Sequence, residues 1–480
     1  MKSRIFKLSQ NLVTGATGAL LLVTATSCKK NNNPNVVFVF ADQWRAQDMS
    51  YAGNAQVKTP NLDKLAGEAV VFRNAISNIP VSSPARASLM TGQYPLTHGV
   101  FYNDRPLATD ATCIAEVYKE NEYHTGYIGK WHINGGGIKR RNEPVPKERR
   151  QGFDFWKVHE CTHDYNNSVY IDEENIEHKW EGYDAIAQTA EAINYIKENK
   201  DNPFVLFLSW GPPHAPYGTA PERFKQLYRD VDIKLRPNVP DSMKAEATEW
   251  LRGYYAHIAA LDYCIGELQE AIRQAGIEEN TIFVFTSDHG DMLGSHGLEK
   301  KQKPWEESIA VPFLLKYPEK LKAGEMKKVF SFSDIMPTLL GLSNMEISET
   351  VEGIDYSGEL TGTENLEIDG AYITCPVPFH QWSYKNGGRE YRGIRTERYT
   401  YVKDLNGPWL LYDNLNNPYQ MNNLCNDPQY TTLQSDLEEK LQKLLRQRGD
   451  EFLEGDEYMK AWNYTWDMDD SVKIMEEYQQ

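Results

Sequence analysis

The residues of this 480-residue chain that could do chemistry fall in six short groups. Two are acidic: Asp42-Gln43 and Asp288-His289. Carboxylate and amide oxygens with one imidazole suit a hard cation such as Ca²⁺ or Mg²⁺. The third group is Ser82-Ser83-Pro84-Ala85-Arg86. Pro84 close to a helix start puts Ser82 at or beside the N-terminus, where free N–H groups and the helix dipole favour an anion. Arg86 follows about one turn on and can return to the same point. The fourth, Gly129-Lys130-Trp131-His132, offers a cation and an acid/base two residues apart, on one face if the segment is extended. The fifth, Pro213-His214-Ala215-Pro216, holds His214 in non-helical backbone between prolines. The sixth is Lys301-Gln302-Lys303-Pro304-Trp305. Singly, each has a plainer reading. An Asp after a strand is a turn or helix cap, a Ser before Pro an N-cap, a His a structural group, a Lys run a solvated face. Together they fit metal-assisted hydrolysis of a small tetrahedral dianion.

Such a site needs elements that bring distant groups to one place. Asn35–Phe40 reads as a buried strand just before Asp42, and Thr281–Thr286 as one before Asp288. Residues 124–129 and Phe204–Trp210 do the same for Lys130 and His214. Helices are predicted from Thr59-Pro60, an N-cap with Pro at N1, through Glu68, and from Ser82 through Thr91. Others cover 112–121, 185–199, 244–275 and 334–340, and Phe313–Lys316 is a further strand. The alternation predicts an α/β fold: a large, mostly parallel sheet sandwiched by helices, with the chemistry beyond the C-terminal ends of its strands. This domain spans 35–364. From 365 the texture changes to short runs, Ala371–Thr374, Tyr391–Thr396, Thr400–Lys403 and Leu410–Tyr412, then a polar helix over 430–447. Residues 365–480 therefore read as a smaller C-terminal α+β subdomain carrying an antiparallel sheet.

The N-terminus does not belong to this fold. Lys2, Arg4 and Lys7 precede an apolar, small-residue stretch from Leu12 to Ala25, too short and too interrupted to span a membrane. Residues 1–27 read as a secretory signal. Ala25-Thr26-Ser27-Cys28 resembles a bacterial lipobox. That implies lipidation of Cys28, a tether over 28–34, and an exported, periplasmic or outer-membrane lipoprotein that meets the membrane only through its anchor. Removing the signal takes three positive charges and no negative ones from a net charge of −17, leaving −20. A chain this acidic excludes nucleic acid as the expected partner, since that needs a basic surface. With 40% hydrophobic and 12% aromatic residues it is not disordered. Cys113, Cys161, Cys264, Cys375 and Cys425 have no metal-like spacing and read as buried thiols or at most two bridges.

Ser82-Ser83-Pro84-Ala85-Arg86, followed by Leu89-Met90-Thr91-Gly92, resembles the type I sulfatase signature, Cys/Ser-x-Pro-x-Arg with a downstream Thr-Gly. PNVVFVFADQ, TPNLDKLA, GKWHI, HAPY, TSDHGDMLGSHG, WEES and SDIMPTLL follow in the family's order. RGIRTERYTYV and WLLYDNLNNPYQMNNL resemble the small domain of bacterial, Bacteroides-type glycan sulfatases. The resemblance, from about 34 to 425, implies an alkaline-phosphatase-like fold and a formylglycine-dependent sulfuric ester hydrolase. It implies that a radical sulfatase-maturating enzyme converts Ser82 to formylglycine. Asp42, Gln43, Ser82, Asp288 and His289 then match the ligands of one Ca²⁺, Gln43 and His289 standing where many members carry Asp and Asn. Arg86 and Lys130 would stabilise the nucleophile's charge, and His214 would protonate or hold the leaving alcohol. Lys301, four residues before Trp305, would bind sulfate, with Lys303 the alternate. His132 would help release sulfate by deprotonating the second hydroxyl.

The loop residues His98, Asn103, Asp104, Arg105, His159, His163 and Asp164 would suit a sugar. The expected substrate is a sulfated carbohydrate: a terminal O-sulfated hexose or hexosamine of host or algal glycans, with galactose or N-acetylgalactosamine sulfate first and exo-action. An arylsulfatase, a phosphodiesterase or phosphonate hydrolase of the same superfamily, and an unmatured glycan-binding lipoprotein are the alternatives.

Overall fold

The computed structural model describes residues 33–137, 140–466 and 472–473. The predicted signal and Cys28 lie outside them. Every residue of β1 (Asn35–Asp42) is buried. Side chains alternate along a strand, so Val36, Phe38 and Phe40 enter the core on one face of the sheet, and Val37, Val39 and Ala41 that on the other. Burial on both faces is what makes the sequence here a continuous apolar run.

The strands that follow are β2 (Val70–Phe72), β3 (Ala75–Ile76), β4 (His124–Lys130), β5 (Phe155–His159), β6 (Val169–Ile171), β7 (Glu177–Lys179), β8 (Phe204–Pro213), β9 (Thr281–Ser287), β10 (Phe313–Lys316), β11 (Gly324–Met326) and β12 (Phe330–Ser331). Ten form one sheet in the order β11-β2-β10-β9-β1-β8-β4-β5-β6-β7, while β3 pairs with β12. The centre, β9-β1-β8-β4-β5, is parallel throughout, as the sequence predicts. The edges are mixed. β10 runs antiparallel to β9 and β2, and β6 and β7 run antiparallel beyond β5. The α-helix in the β9–β10 connection, Glu306–Ile309, is only four residues long. Without a crossover helix the chain returns beside β9 in the opposite sense.

Helices α1 (Pro60–Glu68), Asp184–Asn199 and Lys244–Gln274 cover the Val37 face. Helices α2 (Ser82–Thr91), Ile114–Glu120 and Ile335–Leu342 cover the Phe38 face. Thr59 precedes α1 but does not cap it through its side chain; its hydroxyl bonds the Ser50 backbone and hydroxyl instead. Asp42 shares the parity of Phe40, so β1 delivers its carboxylate to the face that α2 covers.

The C-terminal strands β13 (Ala371–Cys375), β14 (Tyr391–Arg395), β15 (Tyr399–Asp404) and β16 (Gly407–Asp413) form an antiparallel sheet in sequence order. On one face Tyr372, Ile394, Tyr401 and Leu411 pack against Leu437, Leu441, Leu444 and Leu445 of the helix Thr431–Gln447. On the other, Ile373, Tyr391 and Val402 meet Trp305 and Ile309 of the β9–β10 connection. The five cysteines are free thiols, four buried and Cys425 half-buried. Among the described residues no helix is long and apolar enough to cross a membrane.

Candidate active site

Parallel strands end on one side of the sheet, and the register places their exits together. Asp42 lies beside Pro213, the residue before His214, and Ala41 lies beside Ser287, the residue before Asp288. Lys130 ends β4, which neighbours β8. The N-terminus of α2 enters from the face that Asp42 reaches. Val81 occupies the N-cap position, so Ser82 is the first helical residue and its side chain caps nothing. Its Oγ lies 3.0 Å from His289 Nε2 and 3.5 and 3.4 Å from the two Asp42 carboxylate oxygens. Asp42, Asp288 and His289 offer ligand atoms within 4.8 Å of one another, all fully buried; among the described residues they are the one cluster of this kind. His289 Nδ1 donates to the Gly290 carbonyl at 2.9 Å, which leaves Nε2 as a lone pair facing Ser82.

Cations surround this acidic pocket. Arg86 is fully buried over the Phe40 ring and donates to Lys130 O (2.8 Å), Ser209 Oγ (2.7 Å) and Asp288 Oδ2 (3.1 Å). Lys130 Nζ donates to Asp42 Oδ2. Burial alone would raise the Asp42 pKa, yet the charges of Lys130 and Lys301 hold it well below the ordinary carboxylate range. Arg86 and Lys130 are raised despite burial, by Asp288 and Asp42 respectively. Lys301 Nζ lies 2.7 Å from both Gln43 Oε1 and His214 Nε2. Burial lowers it to about 8. Since His214 Nδ1 donates to the Ala215 carbonyl (2.8 Å), its Nε2 is the acceptor of the Lys301 bond. Burial, then Lys301, keeps that imidazole neutral. Lys303 stands apart: its Nζ donates to the Glu299 carbonyl and lies 5.5 Å from the Trp382 ring centre.

The core groups named from the sequence thus converge, Gln43 in a different posture from that expected. Its Oε1 takes Lys301, its Nε2 donates to Asp291 at 2.6 Å, and its backbone N–H donates to Asp288 Oδ1. Lys130 and His132 do not share an extended segment. Positive φ at Gly129 (101°) and His132 (62°) turns the chain on either side of Lys130-Trp131. His132 instead meets Asp104, Nε2 to Oδ1 at 3.2 Å.

The sugar-binding set divides. His98 is buried beneath α2, with Nε2 on Ser88 Oγ and Nδ1 accepting from Val100 N–H, out of a ligand's reach. Arg105 is likewise buried, 3.3 Å from the Tyr464 ring centre. Their place in loops concealed that burial. Asn103 Oδ1 takes the Ser83 N–H, and both Asp104 oxygens are taken by Arg141, one of them also by His132. His159 bonds Asn142. Asp164 is exposed and bonds Asn167. His163 alone lies open against the machinery, its ring stacked on His214 at 4.5 Å. Three supporting residues escaped the sequence reading. Ser209 could have been found from its place on β8, and Asp291 from its spacing to Asp288, whereas Arg141 sits in a loop with no pattern.

A family model described as Sulfatase matches residues 34–345, and one described as N-sulphoglucosamine sulphohydrolase, C-terminal, matches 294–447. An ulvan-active sulfatase of Formosa agariphila is 45% identical, aligned over 90% of this chain and 85% of its own. An endo-4-O-sulfatase of Bacteroides thetaiotaomicron is 32% identical over 85% and 92%. Among solved structures, one from Bacteroides fragilis named for the sulfatase yidJ superposes with a TM-score of 0.81 at 34% identity, covering 90% of this chain and 99% of its own.

Proposed function

The chain belongs to the sulfatase family, and from that premise we propose that it is a glycan sulfatase working through Ser82, as formylglycine, and one Ca²⁺. The observation that carries this reading is the placement of Ser82. Its Oγ sits at a helix N-terminus, within 3.5 Å of Asp42 and His289, with Arg86 and Lys130 closing the same pocket. Two carboxylates and an imidazole with a free Nε2 lone pair fit a single divalent cation, and the oxygen-rich set favours a hard one. When bound, the ion supplies positive charge against sulfate oxygens. Hydrated formylglycine supplies a hydroxyl nucleophile toward sulfur.

The chain's own groups do the rest. Arg86 is held by three partners, so its charge is preorganised rather than recruited during reaction. Lys130 adds a second fixed charge. Lys301 and His214 share one hydrogen bond, so a proton held between Nζ and Nε2 is available to the leaving alkoxide. His132, neutral in its buried site, serves as the base that frees sulfate. We place the protein outside the cytoplasm, anchored at Cys28, on its N-terminal sequence.

The ulvan-active relative makes a sulfated polysaccharide the first substrate to assay, and the endo-4-O-sulfatase relative makes internal 4-O-sulfate the second. Exo-action on 3-, 4- or 6-O-sulfated galactose or N-acetylgalactosamine is measured beside them. Co-expression with a radical maturase should lower the intact mass by about 2 Da, the two hydrogens lost from Ser82. Sulfate release should follow and should vanish in Ser82→Ala. Turnover by Ser82→Ala, or a matured enzyme that prefers phosphate or phosphonate esters, would overturn the reading.

A further inference from the structure

The sequence reading gives Asp104 to sugar, but both oxygens of its carboxylate are engaged within the protein. Arg141 grips it with a fork, Nε on Oδ1 at 3.0 Å and Nη2 on Oδ2 at 2.8 Å, and His132 Nε2 takes the remaining approach to Oδ1 at 3.2 Å. A carboxylate only accepts, so the imidazole proton must sit on Nε2. His132 Nδ1 is then an unprotonated nitrogen, buried, with no partner in the protein. A buried acceptor left without a donor costs free energy unless something else uses it.

The same segment is fastened to the residue after Ser82. Ser83 N–H donates to Asn103 Oδ1 and the Asp104 N–H donates to Ser83 Oγ, both at 3.1 Å. The first turn of α2 and the His132 ring are therefore referenced to each other through Asn103-Asp104. Left-handed backbone at both Asp104 (φ 59°) and His132 (φ 62°) is held by these contacts. Asn103, like Asp104, is used for alignment rather than for sugar.

We propose that Asp104, clamped by Arg141, is a positioning residue that fixes His132 in the Nε2–H tautomer and sets its free Nδ1 in register with Ser82. The catalytic part of this inference rests on the sulfatase reading; the tautomer does not. Asp104→Ala removes the acceptor that draws the imidazole proton to Nε2, so nothing then excludes the Nδ1–H tautomer, which has no base at Nδ1.

The experiment combines long-range ¹H–¹⁵N correlation on histidine-labelled protein with steady-state kinetics of the matured enzyme. Wild type should show a protonated Nε2 and a bare Nδ1 at His132, whether or not Ser82 is converted. Asp104→Ala should populate the Nδ1–H form as well and lower kcat by about 10–100-fold, with KM within about twofold. A wild-type ring protonated on Nδ1 would overturn the proposal. So would an Asp104→Ala enzyme with normal kcat and raised KM, which is the signature of a sugar ligand. If that variant does not fold, Arg141→Gln, which loosens the clamp but keeps the carboxylate and the tautomer, is read by kcat and KM alone, and an unchanged kcat there counts against positioning. A wild type that turns over no sulfate ester defeats the sulfatase reading while the tautomer measurement still stands.

Discussion

Arg86 shows how much one side chain here depends on shape rather than charge. Its guanidinium joins the end of β4, the middle of β8 and the residue after β9 through Lys130 O, Ser209 Oγ and Asp288 Oδ2. An ammonium keeps the charge but has no planar fork. Arg86→Lys should therefore reduce kcat by about 10²–10³-fold and lower the unfolding midpoint, because the Ser209 hydroxyl and Asp288 carboxylate lose a buried partner. Both are read from one preparation, by sulfate release and thermal melting; near-normal kcat would mean that charge alone suffices. Residues of this type were legible in the sequence because each follows a strand or opens a helix with fixed spacing. His98 and Arg105 were misread because loop position does not reveal burial, and Arg141 was missed because only folding brings it to Asp104.

Strand exits do the positioning, and β4 is the tightest of them. Gly129 has φ 101°, and a Cβ there would lie 2.0 Å from the Ser209 carbonyl oxygen. Backbone on β8 cannot yield without moving Ser209, whose hydroxyl holds Arg86. Gly129→Ala should thus cost about 3 kcal/mol or more and lower the unfolding midpoint by about 3 °C or more. Gly276, which follows the helix Lys244–Gln274 with φ 71°, has nothing within 4 Å. There Ala should cost only about 1 kcal/mol, for the backbone alone; equal losses at the two sites would show that the close approach to β8 is not what matters. The central strands were readable because burial on both faces leaves unbroken apolar runs. The three-residue strands β2, β6, β7 and β11 were not, since three residues carry no period and their pairing depends on contacts made only in the fold. The antiparallel sense of β10 was equally hidden, because it follows from what the preceding connection lacks.

Over the whole molecule, a net charge of −17 sits oddly with an anionic substrate, and the resolution is local: Arg86, Lys130 and Lys301 are gathered in a buried pocket while the acids dominate elsewhere. The same burial sets the pH range in which the fold survives. His98 and His132 are lowered to about 3, and His159 and His257 to about 4, by burial. Unfolded, each would take a proton near 6.5, so below that pH the unfolded chain binds more protons and stability falls as pH falls. Glu160 and Asp184 act in the opposite sense. Burial raises both to about 8, so the folded chain keeps two protons that the unfolded chain has already lost. Their contribution is present below the ordinary carboxylate range and declines as pH rises toward 8. Between about 4.5 and 6.5 the four histidines outweigh the two acids; above 6.5 the acids act against Lys303 and Lys301, lowered by burial to about 7 and 8, which give up protons that the unfolded chain keeps. Stability should therefore rise to about pH 6.5, by about 1–3 kcal/mol per pH unit on the acid side, and then fall with a slope that the two lysines diminish toward pH 8. Asp184→Asn should steepen the rise below pH 6.5 and lessen the fall above it, each by about 1.4 kcal/mol per pH unit; a variant whose profile runs parallel to wild type would show that this carboxyl group is not held protonated.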